Sequence, residues 1–198
     1  MKKSLFSWLA VFVAGFVAGV AFSAWKLDRT AVPVPAPSAQ VGDRNPSAEA
    51  LARITGLEKM TAANPENVQA LVELGNAYFD VDKHEKAAET YAKAIKLDPR
   101  NPDVITDMGI SLRRLGRFQE SAAAFQKAAE VDPNHPLALF NLGIVLRDNL
   151  KDDQGALKAW EAFLQKAGDT PHAVMVRPWV DQLKKKLGAA GTESSSKN

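Results

Sequence analysis

Between Val68 and Gly168 the apolar positions fall into three matching sets, each 34 residues after the last. An apolar pair three residues apart leads into a glycine each time: Leu71 and Leu74 before Gly75, Ile105 and Met108 before Gly109, Leu139 and Leu142 before Gly143. Tyr78, Leu112 or Leu146 follows at helical spacing. A short polar turn (DVDKH, LGR, NLKDD) then separates this pattern from a second one built as small, aromatic, small. Ala87, Tyr91 and Ala94 make it first, and Ser121, Phe125 and Ala128 second. The third set, Ala156, Trp160 and Phe163, comes one residue late and ends on an aromatic. Pro65, Pro99 and Pro133 punctuate the chain on the same period, each preceded by Asn or Asp, a combination that ends helices. The pattern predicts three helix–turn–helix units, over residues 68–101, 102–135 and 136–168.

A mid-helix glycine costs about 1 kcal/mol against alanine, so three in register require a reason. The one the spacing offers is close approach: with no side chain at the glycine, the aromatic of the second helix can lie against the first. A single helix pair cannot bury its apolar face, so the units must stack on one another. Both flanks extend the stack. Residues 47–63 place Leu51, Ile54, Leu57 and Met60 on one stripe, which suits a lone capping helix. Residues 170–187 carry Val176, Trp179, Val180, Leu183 and Leu187 on one face and lysines on the other, with Pro178 expected to start or kink the helix. Residues 188–198 read as a disordered tail.

These motifs resemble the tetratricopeptide repeat. Seven of the eight signature positions of that family are largely matched in each unit; the first, often Trp in the family, is Leu71, Ile105 or Leu139 here. The resemblance implies an all-α fold, a right-handed superhelical solenoid of antiparallel helix pairs with capping helices at both ends. The helix ending in AANPEN before the first full unit is also similar to repeat segments of bacterial cytochrome c maturation factors.

The N-terminus has another character. After Lys2 and Lys3 no charge occurs from Ser4 to Trp25, a run long enough to cross a bilayer as one helix. Trp8 and Trp25 sit near its ends, where indoles favour the membrane interface. Residues 1–27 are therefore expected to be a single-pass transmembrane anchor; a cleaved signal peptide is the alternative. The lysines before the run favour a cytoplasmic N-terminus, which would put the repeats in the periplasm of a bacterial inner membrane. Gly15 and Gly19 form a GxxxG, a route to a homodimer. Residues 28–46, with Pro33, Pro35 and Pro37 alternating with small residues, read as an extended proline-rich tether.

Composition mostly excludes. The chain has no cysteine, so disulfides, thiolate metal sites and a catalytic thiol are ruled out. Its net charge is +2, but Lys2, Lys3 and Lys26 contribute +3, leaving −1 for residues 28–198. That does not suit nucleic-acid binding, which needs clustered positive charge. His84, His135 and His172 are scattered and none has a partner at metal-binding spacing. No nucleophile elbow, phosphate loop or dinucleotide fingerprint occurs. No catalytic residue, cofactor or metal is expected.

What remains is a surface. In tetratricopeptide arrays the first helices line the concave face, and the resemblance carries groove positions onto Gln69, Val72, Asn76, Phe79 and Asp80 in unit one. Unit two contributes Asp103, Thr106, Ile110, Arg113 and Arg114, and unit three Leu137, Phe140, Ile144, Arg147 and Asp148. Phe79, Ile110, Phe140 and Ile144 could equally belong to the core. The family's clamp for chaperone C-terminal carboxylates needs Lys and Asn, then Asn, then Lys and Arg in successive units. This chain has Val72 and Asn76, Asp107, and Leu137 and Asn141, so that clamp is absent. The expected function is a membrane-tethered, non-enzymatic scaffold binding a peptide or protein partner during envelope complex assembly, such as cytochrome c maturation, secretion or pilus assembly. A self-assembling structural protein and a soluble periplasmic adaptor released by signal cleavage are the other readings.

Overall fold

The computed structural model describes residues 46–195, with side chains as far as Gly188. The expected anchor and nearly all of the tether fall on residues 1–45, outside the described residues. What is described lies in one compact unit and is helical throughout. A capping helix α1 (Ala48–Ala63) precedes three pairs: α2 (Val68–Asp80) with α3 (His84–Leu97), α4 (Pro102–Arg114) with α5 (Phe118–Val131), and α6 (Pro136–Ile144) with α7 (Asp153–Ala167). A π turn over Val145–Asn149 extends α6, and α8 (Pro171–Ser195) closes the stack. Each helix packs on the next in chain order, and the first helices of units two and three also touch.

The glycine register is explained by packing. A Cβ built on Gly75 would lie 2.5 Å from the Tyr91 ring, and one on Gly109 2.7 Å from the Phe125 ring. On Gly143 it would overlap the Trp160 indole. Tyr91, Phe125 and Trp160 are the most buried aromatics of their units, and each occupies the space that a missing side chain leaves. In unit two the second helix is also tied to the first, because Ser121 donates from Oγ to the Gly109 carbonyl at 2.7 Å. In unit three the Trp160 Nε1–H donates to the Phe140 carbonyl at 3.1 Å.

The junctions repeat as closely as the cores. After α1, α3 and α5 the C-cap is Asn64, Asp98 or Asp132, whose side-chain oxygen accepts from the N–H two residues on, at 3.3, 3.2 and 2.8 Å. These Asx turns span the prolines and bring the chain into the next first helix. Within each unit the turn contains one left-handed residue: Asp82, Gly116 and Lys151 have φ of 58°, 75° and 58°. The following N–H closes back onto the first helix, Lys83 onto the Tyr78 carbonyl and Arg117 onto that of Leu112, both at 2.9 Å.

Unit three departs at this point. The extra residue seen in its sequence does not lengthen the turn; it is absorbed in the helix as the π turn. Leu150 N–H reaches the Val145 carbonyl five residues back at 3.0 Å, and Asp152 reaches that of Leu146 at 2.8 Å.

The caps differ in part from expectation. In α1 only Ile54 and Leu57 are buried, whereas Leu51 and Met60 stay exposed at 42% and 50%. A lone helix has a neighbour on one side only, so the edges of its stripe remain in solvent. In α8 Val176, Val180 and Leu183 are buried as the stripe requires. The helix begins at Pro171, however, with Pro178 inside it, and runs to Ser195 rather than ending at Leu187. Gly188 and Gly191 each weaken the helix by about 1 kcal/mol but keep the backbone N–H that the hydrogen-bond ladder needs.

The glycine contacts are directly testable. Gly109→Ala should destabilise by about 1–3 kcal/mol in urea unfolding, because overpacking against Phe125 outweighs the gain in helix propensity. Gly56→Ala, in α1 with nothing within 4 Å of its Cβ, should instead stabilise by about 0.5–1 kcal/mol.

Candidate functional site

On the side where α1 meets the first helices of units one and two, the chain forms a cavity of about 380 Å³ that is open to solvent. Arg53 of α1, Asn76, Phe79 and Asp80 of α2, Tyr91 of α3, and Asp107 and Ile110 of α4 line it. Tyr91 is placed by the glycine contact: its ring lies under Gly75 and its hydroxyl donates to Asn76 Oδ1 at 2.6 Å. Asp107 is placed by helical spacing, one turn before Ile110 and one turn after Asp103. Phe79 and Ile110 are half-buried and supply apolar walls.

The electrostatics are negative. Burial, with the neighbouring Asp103 carboxylate, raises the Asp107 pKa to about 6 against an opposing pull from His135. Burial also raises the Tyr91 phenol, and the Asp107 and Asp80 carboxylates add to this. Asp80 has a cation near it, Arg53 Nη1 at 3.7 Å, but both side chains are more than half exposed and such a pair contributes little. Among the described residues no ion pair or hydrogen bond reaches the Asp107 carboxylate.

His135 explains part of this field. Asn67 and Asn101 cap α2 and α4, accepting from Ala70 and Val104 N–H at 3.0 and 3.2 Å. The equivalent position before α6 is His135, which makes no capping bond. Its ring turns back onto α4 instead, with Nε2 3.1 Å from Thr106 Oγ1 and Nδ1 3.6 Å from Asp103 Oδ1. The Thr106 hydroxyl also donates to the Pro102 carbonyl at 2.8 Å.

The expected groove residues separate into groups. Asn76, Phe79, Asp80 and Ile110 converge on the cavity. Gln69, Asp103, Arg114, Leu137 and Asp148 are exposed on the first helices or the π turn. Val72 is half-buried against the unit-one core and Ile144 against the C-terminal one. Arg113 is half-buried, with its Nε enclosed and lacking a partner. Two expectations are corrected by burial. Thr106 is 5% exposed and engaged by His135, and Phe140 is 9% exposed, packed on Phe163 and His172 with ring centroids 5.6 and 4.7 Å away.

Arg147 is corrected by packing. Its guanidinium stacks over Trp160 and Trp179 at 4.7 and 4.5 Å and pairs with Asp148 at 2.5 Å. The π turn includes it, so its local helical geometry differs from that of Arg113 one period earlier. Arg53, Tyr91 and Asp107 were not among the expected groove residues. The comparison with the carboxylate clamp does place Asp107 at a ligand-facing position of unit two, but Tyr91 carries the core signature and Arg53 lies on the cap.

Two measurements follow. The folded-state pKa of Asp107 lies above the ordinary aspartate value of 3.8, so its charge destabilises the fold above pH 6 and that penalty fades as pH falls toward 3.8. Asp107→Asn should therefore raise urea stability by about 1–2 kcal/mol at pH 8, allowing for partial exposure, with the difference shrinking in acid. Arg147→Ala should lower stability by about 1–2 kcal/mol through lost stacking on the two indoles, read by the same unfolding assay.

Comparison with known proteins agrees with this architecture. The family described as "Tetratricopeptide repeat" matches residues 106–173, and one described as "TPR repeat" matches residues 75–116. Together they span half of the chain. No curated protein matches the sequence. Among solved structures, MamA superposes with a TM-score of 0.59 at 23% identity, over 75% of this chain and 85% of that one. The first repeat domain of Spaghetti (RPAP3), bound to the HSP90 peptide SRMEEVD, gives 0.55 at 23% identity, over 61% and 93%. The Sgt2 repeat domain from Aspergillus fumigatus gives 0.54 at 20% identity, over 76% and 86%. At these identities the likeness is one of fold. With three registered units, the glycine–aromatic contacts and both family matches in agreement, the chain belongs to the tetratricopeptide repeat family.

Proposed function

We propose that this protein is a non-enzymatic interaction scaffold that holds a peptide segment of a partner protein on the face lined by α2, α4 and α6. Tetratricopeptide domains generally mediate protein–protein interaction. The observation that carries the reading here is the cavity between α1, α2 and α4. Half-buried apolar walls from Phe79 and Ile110 flank the Asp107 carboxylate, which no hydrogen bond or ion pair reaches among the described residues. Ligand sites combine apolar lining with a few convergent polar groups in this way.

The cellular setting belongs to the same proposal and rests on residues 1–46. The uncharged run from Ser4 to Trp25 would anchor the chain in a bacterial inner membrane, with the proline-rich stretch holding the repeats on the periplasmic side. None of the described helices is long and apolar enough to cross a membrane. A tethered scaffold of this kind suits the assembly of an envelope complex.

Partner capture tests the reading. Full-length protein crosslinked in membranes and co-purified should recover a partner that is lost in Ile110→Glu and in Arg114→Glu. These two positions are half-buried and exposed, so the fold should survive; Phe140 is unsuitable because it is core. A partner retained by both variants would move the interface off this face, and recovery of the protein alone would favour self-assembly.

A further inference from the structure

We infer that the cavity between α1, α2 and α4 receives the cationic side chain of a lysine or arginine in the partner peptide, with Asp107 as its counter-charge. The inference deepens the groove reading and rests on it. Three features of the cavity point the same way. Three of its polar groups are acceptors, the Asp107 carboxylate, the Asp80 carboxylate and the Tyr91 hydroxyl oxygen, whose proton is already given to Asn76; the Arg53 guanidinium and the Asn76 amide nitrogen are its donors. Its walls include the side chains of Phe79 and Ile110, against which the methylene stem of a long basic residue can lie while its head reaches the acids.

The third feature is an unmet charge. Asp107 is held in a partly desolvated position without an ion pair or hydrogen bond among the described residues. An unpaired carboxylate of this kind is costly, and a charge-assisted hydrogen bond from an entering cation would offset the cost. Arg53 supplies the nearest internal cation, but it sits at the rim against Asp80 and is 54% exposed. A bound metal is a poorer complement, because no set of three His, Cys, Asp or Glu side chains among the described residues could hold one. The groove thus has the opposite preference from the acidic peptide seen on the RPAP3 domain.

The groups facing Asp107 set how pH acts on such a site. Asp103 lies on its own helix, Asp80 on α2, Tyr91 on α3, Arg53 on α1 and His135 before α6. Protonation of Asp107 would remove the counter-charge, so binding of the cation should weaken as pH falls through 6.

The test is selection of displayed random short peptides on the full-length protein in detergent, followed by fluorescence polarisation with one selected peptide. That peptide would be compared with a twin in which citrulline, neutral and of the same shape, replaces arginine. The expected result is enrichment of arginine or lysine beside apolar residues, and about tenfold weaker binding of the citrulline twin. Asp107→Asn, or independently Asp80→Asn if the first variant folds poorly, should abolish most of that difference, while Arg53→Gln should tighten binding by freeing Asp80. Selected peptides with no basic preference, equal binding of the twins, or a preference unchanged in both Asn variants would each overturn the inference. The groove itself would still stand if those peptides competed with the captured partner and were lost in Ile110→Glu. Absence of any selected peptide would overturn the inference as well, and with partner capture also insensitive to the groove variants, the groove reading would fall with it.

Discussion

Everything in this fold hangs on the seating of one aromatic ring against a glycine, repeated three times. The contact sets the distance between the two helices of a unit, and hence where their remaining side chains can meet the next unit. Helices that lack this pair, α1 and α8, take their positions from their neighbours rather than from a partner of their own. The same contact has a functional consequence. In unit one the ring is a tyrosine, so the residue that locks the helix pair also delivers a hydroxyl to the cavity. Phe125 and Trp160 perform the packing role without presenting a hydroxyl there.

Small departures from the repeat account for most of the individuality of the protein. Replacing a capping Asn by His135 leaves α6 without a side-chain cap and places an imidazole against Thr106 and Asp103. Adding one residue after Ile144 produces a π turn, which brings Arg147 into a stack with Trp160 and Trp179 and knits α7 to α8. Asp107 is individual in another way. Its half-buried carboxylate acts against stability, and no packing argument explains why a carboxylate occupies that place.

Much of the fold was legible in the chain before any coordinates. Hydrophobic spacing located the helices, the Asn-Pro and Asp-Pro pairs located the junctions, and the period joined both into a stack. The candidate site was legible less evenly. Asn76, Phe79, Asp80 and Ile110 were reached by carrying groove positions along the repeat, whereas Arg53 and Tyr91 were not, because one belongs to a cap and the other carries a core signature. Thr106 and Phe140 are buried, the core being one of the two places expected for Phe140, since a face shared by groove and core cannot be divided by spacing alone.

The sequence by itself determined the local structure and the repeat, because helix periodicity, capping and proline punctuation depend on residues within a few positions of one another. It also determined that glycine must face an aromatic, since only close packing accounts for three glycines in register. Tertiary structure alone decided which polar groups converge. Arg53, Asp80, Tyr91 and Asp107 come from four different helices, and their meeting depends on how those helices stack. The placement of Arg147 was likewise decided in three dimensions: an inserted residue can lengthen a turn or widen a helix, and only the packing of α6 against α7 and α8 selects between the two.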